Sequence, residues 1–213
     1  MLIVPFFSLI GCSDKNTAEE SAVNINDTKE MTRDIIGNNA FLYYKDYDGA
    51  VDFYQKQMGF RNVFEFPGFA MIVQTSPTTF ITIVNDNGRG MHTSEEPKTI
   101  AIALLTDQLD AWYEYAVSQE MDIKNPPKPL ADNPHNGFLV TDPGGYILEF
   151  EHFALHEENV KFIPLLNASE NIYVPENLET HRPSELGFKA SIYWLYHKDA
   201  KEAADFYRDV MGL

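Results

Sequence analysis

Leu42–Phe60 reads LYYKDYDGAVDFYQKQMGF, and Leu195–Leu213 reads LYHKDAKEAADFYRDVMGL. The two stretches share ten identities over 19 ungapped positions, 153 residues apart. Lys45-Asp46 returns as Lys198-Asp199, and Asp52-Phe53-Tyr54 as Asp205-Phe206-Tyr207. Two unrelated helices would share a hydrophobic period but not this string, so the chain contains an internal repeat. In the first copy Ala40, Leu42 and Tyr44 alternate with Asn39, Phe41 and Tyr43, a strand signal. Ala50, Phe53, Tyr54 and Met58 then recur at three- and four-residue steps, and Gly59 stands where a helix C-terminal cap belongs. Each copy therefore opens with a strand and a helix.

Working outward, three short β-rich runs follow the first helix: Val63–Phe66, Ala70–Val73 and Phe80–Val84, punctuated by Pro67-Gly68 and Ser76-Pro77. The order then restarts. Ile100–Leu105 reads as a strand, and Leu109, Trp112, Tyr113, Ala116 and Val117 mark one face of a helix ending near Met121. A weak extended stretch at Ile123 precedes two last strands, Phe138–Thr141 and Tyr146–Phe150, joined by the turn Asp142-Pro143-Gly144-Gly145. The coarse string is βαβββ twice over, an α+β fold, with a module at 37–155. Residues 156–188 read as a linker. Residues 189–213 read as the first strand and helix of a second, incomplete module. Their apolar face (Leu195, Tyr196, Phe206, Tyr207, Val210, Met211) is expected either to dock on the open edge of the first module or to stay poorly ordered, and the natural protein is expected to run on.

The composition limits the function classes. The chain has 213 residues, 44% hydrophobic and 13% aromatic, enough for a packed core. Against 16 Lys+Arg stand 32 Asp+Glu, a net charge of -16. That balance argues against nucleic acid and anionic membrane surfaces, both of which need basic contacts, and it is compatible with a cationic ligand. A single cysteine, Cys12, excludes an intramolecular disulfide and any Cys-cluster metal site.

Cys12 has a context of its own. Met1–Ile10 (MLIVPFFSLI) is an apolar stretch of signal-peptide length, and the run after Cys12 is polar and acidic. Leu9-Ile10-Gly11-Cys12 resembles a bacterial lipobox, although no Lys or Arg precedes the apolar run. The resemblance implies a signal peptide at 1–12, lipidation of Cys12, a linker at 13–36 and a lipid-anchored protein of the cell envelope. The alternative is a cytoplasmic protein with an apolar N-terminus.

The module itself carries a family resemblance. Lys45-Asp46, then Ala50, Phe53-Tyr54 and Met58-Gly59-Phe60, look like the first strand and helix of the glyoxalase / bleomycin resistance / extradiol dioxygenase group, the vicinal oxygen chelate superfamily. Leu109-Asp110-Ala111 resembles the start of its second helix, and Asp142–Phe150 (DPGGYILEF) its closing hairpin. The resemblance implies paired βαβββ half-barrels enclosing a cavity. Metal-dependent members carry His or Glu on the first and last strands of each half. The corresponding positions here are Asn39, Thr82, Ala101 and Glu149, so Glu149 alone is an ordinary ligand and a weak metal candidate. No cofactor is expected.

Strand parity gives the cavity lining instead. With Leu42 and Tyr44 under the helix, Asn39, Phe41 and Tyr43 face the other way. Phe80, Thr82, Ala101, Ala103, Glu149 and Glu151 share that parity, and His135 sits in the loop Asn133–Gly137 at the cavity mouth. The lining is aromatic and partly acidic, suited to a small organic molecule. Glu149, Glu151, His152 and His156 crowd the end of the last strand, which reads as a solvated strand end. Three functions compete: a metal-independent binding module for an aromatic or cationic molecule, a metal-dependent lyase or dioxygenase with its site in the rest of the second module, and a structural or interaction protein with a filled cavity. Pairing into a homodimer is compatible with each.

Overall fold

The computed structural model describes residues 36–127 and 133–213. Cys12, the apolar leader and the stretch 13–35 lie outside the described residues. The first half consists of β1 (Asn38–Tyr44), α1 (Tyr47–Asp52), which runs on as a π-helical turn Phe53–Gln57, β2 (Arg61–Phe66), β3 (Ala70–Ser76) and β4 (Thr79–Asn85). The second consists of β5 (Ile100–Leu105), α2 (Leu109–Ser118), β6 (Asp122–Asn125), β7 (His135–Thr141) and β8 (Ile147–Phe153). After a 3-10 turn at Glu157–Asn159 come α3 (Ile163–Asn167), β9 (Ala190–Leu195) and α4 (Ala200–Asp209). The βαβββ string is thus present twice, as the periodicity predicts.

Both halves use one topology. The strand order is β1-β4-β3-β2 in the first sheet and β6-β7-β8-β5-β9 in the second, with β1–β4 and β5–β8 parallel. Parallel neighbours need a crossover, which the helix and the two intervening strands supply. Period-2 alternation sorts each strand. Ala40, Leu42, Tyr44, Ile81 and Ile83 of the first sheet and Ile102, Leu104, Leu148 and Phe150 of the second join one core with Phe53, Tyr54, Met58 and Trp112 from the helices. Asp142 ties the halves together from within. It is buried, accepts from the hydroxyls of Tyr44 (2.5 Å) and Tyr54 (2.8 Å), and accepts from the amides of Gly144 (2.9 Å) and Tyr146 (2.8 Å). Burial pushes its carboxyl up, and those four donors oppose the shift.

The expected linker 156–188 is corrected by the structure. Leu166, Leu186 and Phe188 are buried, and Phe188 stacks on Trp112 with ring centroids 4.3 Å apart. Arg182 is buried with them. Its guanidinium donates to the carbonyls of Leu186, Met58 and Ile172 at 2.6–3.1 Å and lies over the Trp112 ring at 5.1 Å. Burial lowers its pKa to about 10. A polar stretch without a hydrophobic period is therefore a strap across the core, fixed by one cation and three aromatic or aliphatic anchors.

The repeat copy docks. β9 pairs antiparallel with β5, Ala103 opposite Ile192 and Ala101 opposite Trp194. On its other side Ser191 Oγ lies 3.0 Å from Thr79 Oγ1, and the Tyr193 hydroxyl donates to the Phe80 carbonyl at 2.7 Å. So β9 takes the open edge of the second sheet and reaches the first. Two smaller expectations also change. His135 opens β7, paired with Phe153, rather than lying in a loop. The end of β8 is not solvated at Glu151, which has no exposed surface.

Candidate functional site

The nine residues singled out by parity, with His135 as the tenth candidate, divide in the structure into separate groups. On the first sheet, Asn39 Nδ2 donates to Thr82 Oγ1 at 2.7 Å, and the Thr82 hydroxyl donates back to Asn39 Oδ1 at 3.1 Å. Phe41 is exposed, Phe80 is half-buried, and Tyr43 packs with Ala70 and Val84. On the second sheet, Ala101 is buried on β5 beside β9, and Ala103 and Leu105 pack with Leu166 of α3 and with Ile192 and Trp194 of β9. The remaining three, His135, Glu149 and Glu151, form a charged group. The cause of the division is β9, whose docking at β5 puts side chains of the repeat copy where the two halves were expected to share a cavity.

The charged group has a clear electrostatic logic. Glu149 and Glu151 are two apart on β8 and so face the same way. Burial, then the Glu151 charge, push the Glu149 carboxyl up to about 7, while His135 and the Trp194 indole pull it down. Glu151 is fully buried, with His135 Nδ1 2.8 Å from its Oε1. That contact, with the other carboxylates nearby, raises the His135 pKa against the effect of its own partial burial. The His135 ring stacks on Phe153 with centroids 5.6 Å apart. The result is two carboxylates, one partly neutralised by an imidazole, with an indole beside the other.

A cavity of about 360 Å³ opens at this end of the sheet, and of the ten predicted residues only Glu151 lines it. Its other walls are Leu105 at the end of β5 with Thr106 and Asp107 after it, His152 and Phe153 of β8 with Leu155 after it, Ile163, Leu166 and Asn167 of α3, and Lys189. Lys189 Nζ is ion-paired with Asp107 Oδ2. The α3 roof escaped sequence reading because five residues with one proline carry no helical period. Ile163 and Leu166 at three-residue spacing are the single signal that points to it.

The metal positions do not suit a metal. Asn39 and Thr82 satisfy each other, Ala101 offers a methyl group, and Glu149, on the other sheet from Asn39 and Thr82, is the one ordinary ligand among the four positions. A zinc-, iron- or nickel-type site needs three or more N, S or O donors converging. Among the described residues no three His, Cys, Asp or Glu side chains come together in that way.

Residues 36–150 match the sequence model of the Glyoxalase/Bleomycin resistance protein/Dioxygenase superfamily. No curated protein matches the chain. Solved structures similar to it include lactoylglutathione lyase from Agrobacterium tumefaciens, at 17% identity and TM-score 0.45, covering 54% of this chain and 90% of that one. A glyoxalase/bleomycin resistance protein/dioxygenase from Nocardioides gives 17% identity and TM-score 0.48, covering 61% and 92%. TioX from Micromonospora sp. ML1 gives 22% identity and TM-score 0.43, covering 55% and 96%. The family match spans more than half of the chain and falls on the doubled βαβββ unit, and the chain therefore belongs to the Glyoxalase/Bleomycin resistance protein/Dioxygenase superfamily.

Proposed function

We propose that the protein is a metal-independent binding module for a small organic cation, held at the cell envelope by a lipid on Cys12. The observation that carries the binding reading is the pair Glu149–Glu151 beside Trp194, on the sheet face opposite the core. Glu149, partly exposed, and the fully buried Glu151 repel each other, and a cation placed between them relieves both the repulsion and the desolvation. An aromatic wall adds attraction for the same class of ligand. The donor set at the family's metal positions supports a reading without a metal. The net charge of -16 favours approach of a cation from solution.

The test is a fluorescence titration of the purified chain with benzyltrimethylammonium, with metal analysis of the same sample. Trp112 is buried in the core and Trp194 lies on the binding face, so ligand-dependent quenching should vanish in Trp194→Phe. Glu149→Gln should weaken binding at least tenfold. One tightly bound zinc, iron, manganese or nickel ion per chain, lost in Glu149→Ala, overturns the reading. For the anchor, Cys12→Ala in cells should release the protein from the membrane fraction; equal retention overturns that part alone.

A further inference from the structure

Glu151 is the least comfortable side chain in the described residues. It is fully buried, and neither carboxylate oxygen has a hydrogen bond of ordinary geometry. Oε1 has the His135 imidazole at 2.8 Å as an ion-pair partner; Oε2 has none. Buried carboxylate oxygens without donors are rare, because the group loses water's hydrogen bonds and gains nothing in return. Glu151 is one of the residues that line the cavity of about 360 Å³ roofed by α3. That volume lies within the range of small-ligand sites.

The walls select the chemistry. Leu105, Phe153, Ile163 and Leu166 make one side apolar. The charged groups facing the cavity are Glu151, Asp107 and Lys189, and the last two are paired with each other. His152 is held at the Thr106 carbonyl, 3.2 Å from its Nδ1. Of the charged residues lining the cavity, Glu151 alone has an oxygen without a partner, beside largely apolar walls. A quaternary ammonium has no N–H to give it. A guanidinium makes its strongest contact as a bidentate fork on both oxygens, and Oε1 already faces His135. A primary ammonium brings N–H donors on a compact cation and leaves its carbon arm for the apolar wall.

We infer that the ligand is a primary amine with one apolar arm, its ammonium held by Glu151 and its arm lying beneath α3 in the cavity between β5, β8 and Ile163–Leu166. This rests on the binding reading above and adds the anchor and the chemical class. The roof, Glu151 and Lys189 come after residue 150, so most of the slot, apart from Leu105, Thr106 and Asp107, is built by residues that the family match does not include.

The experiment is calorimetric titration of the full chain with 2-phenylethylammonium, 2-phenylethanol and benzyltrimethylammonium. The amine should bind at least tenfold tighter than the alcohol, which matches its shape without the charge. Glu151→Gln should weaken the amine at least tenfold. Ile163→Trp, which fills the slot without touching a carboxylate, should abolish amine binding, and it keeps the test decisive if the Gln variant does not fold. Equal amine affinity in wild type and both variants overturns the anchor. If benzyltrimethylammonium still quenches Trp194 in that case, the broader binding reading stands. A cavity that holds only water gives no heat with the amine and overturns the inference. Failure of all three probes overturns both.

Discussion

The two copies of the repeat start and end their helices alike and meet opposite fates, although the middle of the first is π-helical and that of the second α-helical. In both, an aspartate caps the helix: Asp46 Oδ1 accepts from Gly49 N at 3.0 Å, and Asp199 Oδ1 from Glu202 N at 2.9 Å. In both the helix ends alike. Met58 N donates to Phe53 O and Met211 N to Phe206 O; Phe60 N donates to Tyr54 O and Leu213 N to Tyr207 O. Gly59 and Gly212 both take positive φ, 62° and 72°. Yet Leu42, Phe53 and Met58 are buried, while their counterparts Leu195, Phe206 and Met211 are 45–49% exposed. Caps, turns and helix length are thus written within some 19 residues. Burial is decided by which strands and straps arrive from elsewhere in the chain.

The largest effect that can break this comparison is deletion of a paired core side chain. Leu42→Ala leaves a void in the shared core and should lower global stability by roughly 2–5 kcal/mol. Leu195→Ala, at the matched position, should stay within about 0.5 kcal/mol. Chemical denaturation of the two variants measures both. Near-equal losses would mean that the β9–α4 unit is as deeply packed as β1–α1.

The paired glycines come next. A Cβ on Gly59 would meet Arg182 Cδ and Thr180 Oγ1, each at 2.9 Å, whereas one on Gly212 meets nothing within 4 Å. Gly59→Ala therefore adds a clash with the strap to the left-handed strain, roughly 2–4 kcal/mol in all. Gly212→Ala carries the strain alone, about 1 kcal/mol, read as fraying of α4. Thermal melts that rank the two equally would show that the strap does not hold α1 from outside.

Positions 41 and 194 are also matched, and here the second copy is the more involved. Phe41 is exposed, while Trp194 lies on the face that carries Glu149. The folded pKa of Glu149, about 7, lies above the ordinary carboxylate value. The folded state then binds the proton more tightly than the unfolded state. The stabilisation is complete below the unfolded pKa near 4.3 and is lost as pH rises through about 7. Glu149→Gln should remove that loss, on the order of 2 kcal/mol between pH 4 and pH 8. Trp194→Phe takes away a group that favours the charge and should move the transition to higher pH; Phe41→Leu should leave it unmoved. Denaturant midpoints across that pH range decide the matter.

The same contrast explains what the sequence made legible. Strand alternation and helix spacing depend on neighbours two to four residues away, so Ile100–Leu105 and the helix at Leu109 read correctly. Arg182, Phe188 and Leu166 carry no period. Their roles appear only when Trp112, Met58 and Ala103 have been brought to them by the fold. Glu151 looked like a solvated strand end because its burial comes from α3 and His135, and neither is predictable from the β8 pattern. The division of the ten-residue lining has the same origin: β9 docks from ninety residues downstream of β5.

The smallest effect is the most discriminating. Asp46 and Asp199 make the same cap, with the same oxygen and the same helix position, so loss of either removes about 1 kcal/mol from its own helix. The consequence depends on coupling. α1 is part of the core, and it cannot fray without exposing Tyr54 and Met58, so Asp46→Ala should appear undiminished in global stability. α4 has no buried residue. Its first turn can open while β9 stays on β5, so Asp199→Ala should leave the global denaturation midpoint in place. The change should appear instead as about a fivefold faster hydrogen exchange at Ala203 N, the amide bonded to Asp199 O, since a factor of five is about 1 kcal/mol in a local opening equilibrium. If Asp199→Ala lowers global stability as much as Asp46→Ala, α4 is held by contacts that its exposed face does not show, and the contrast between the two copies is one of surface area and not of cooperativity.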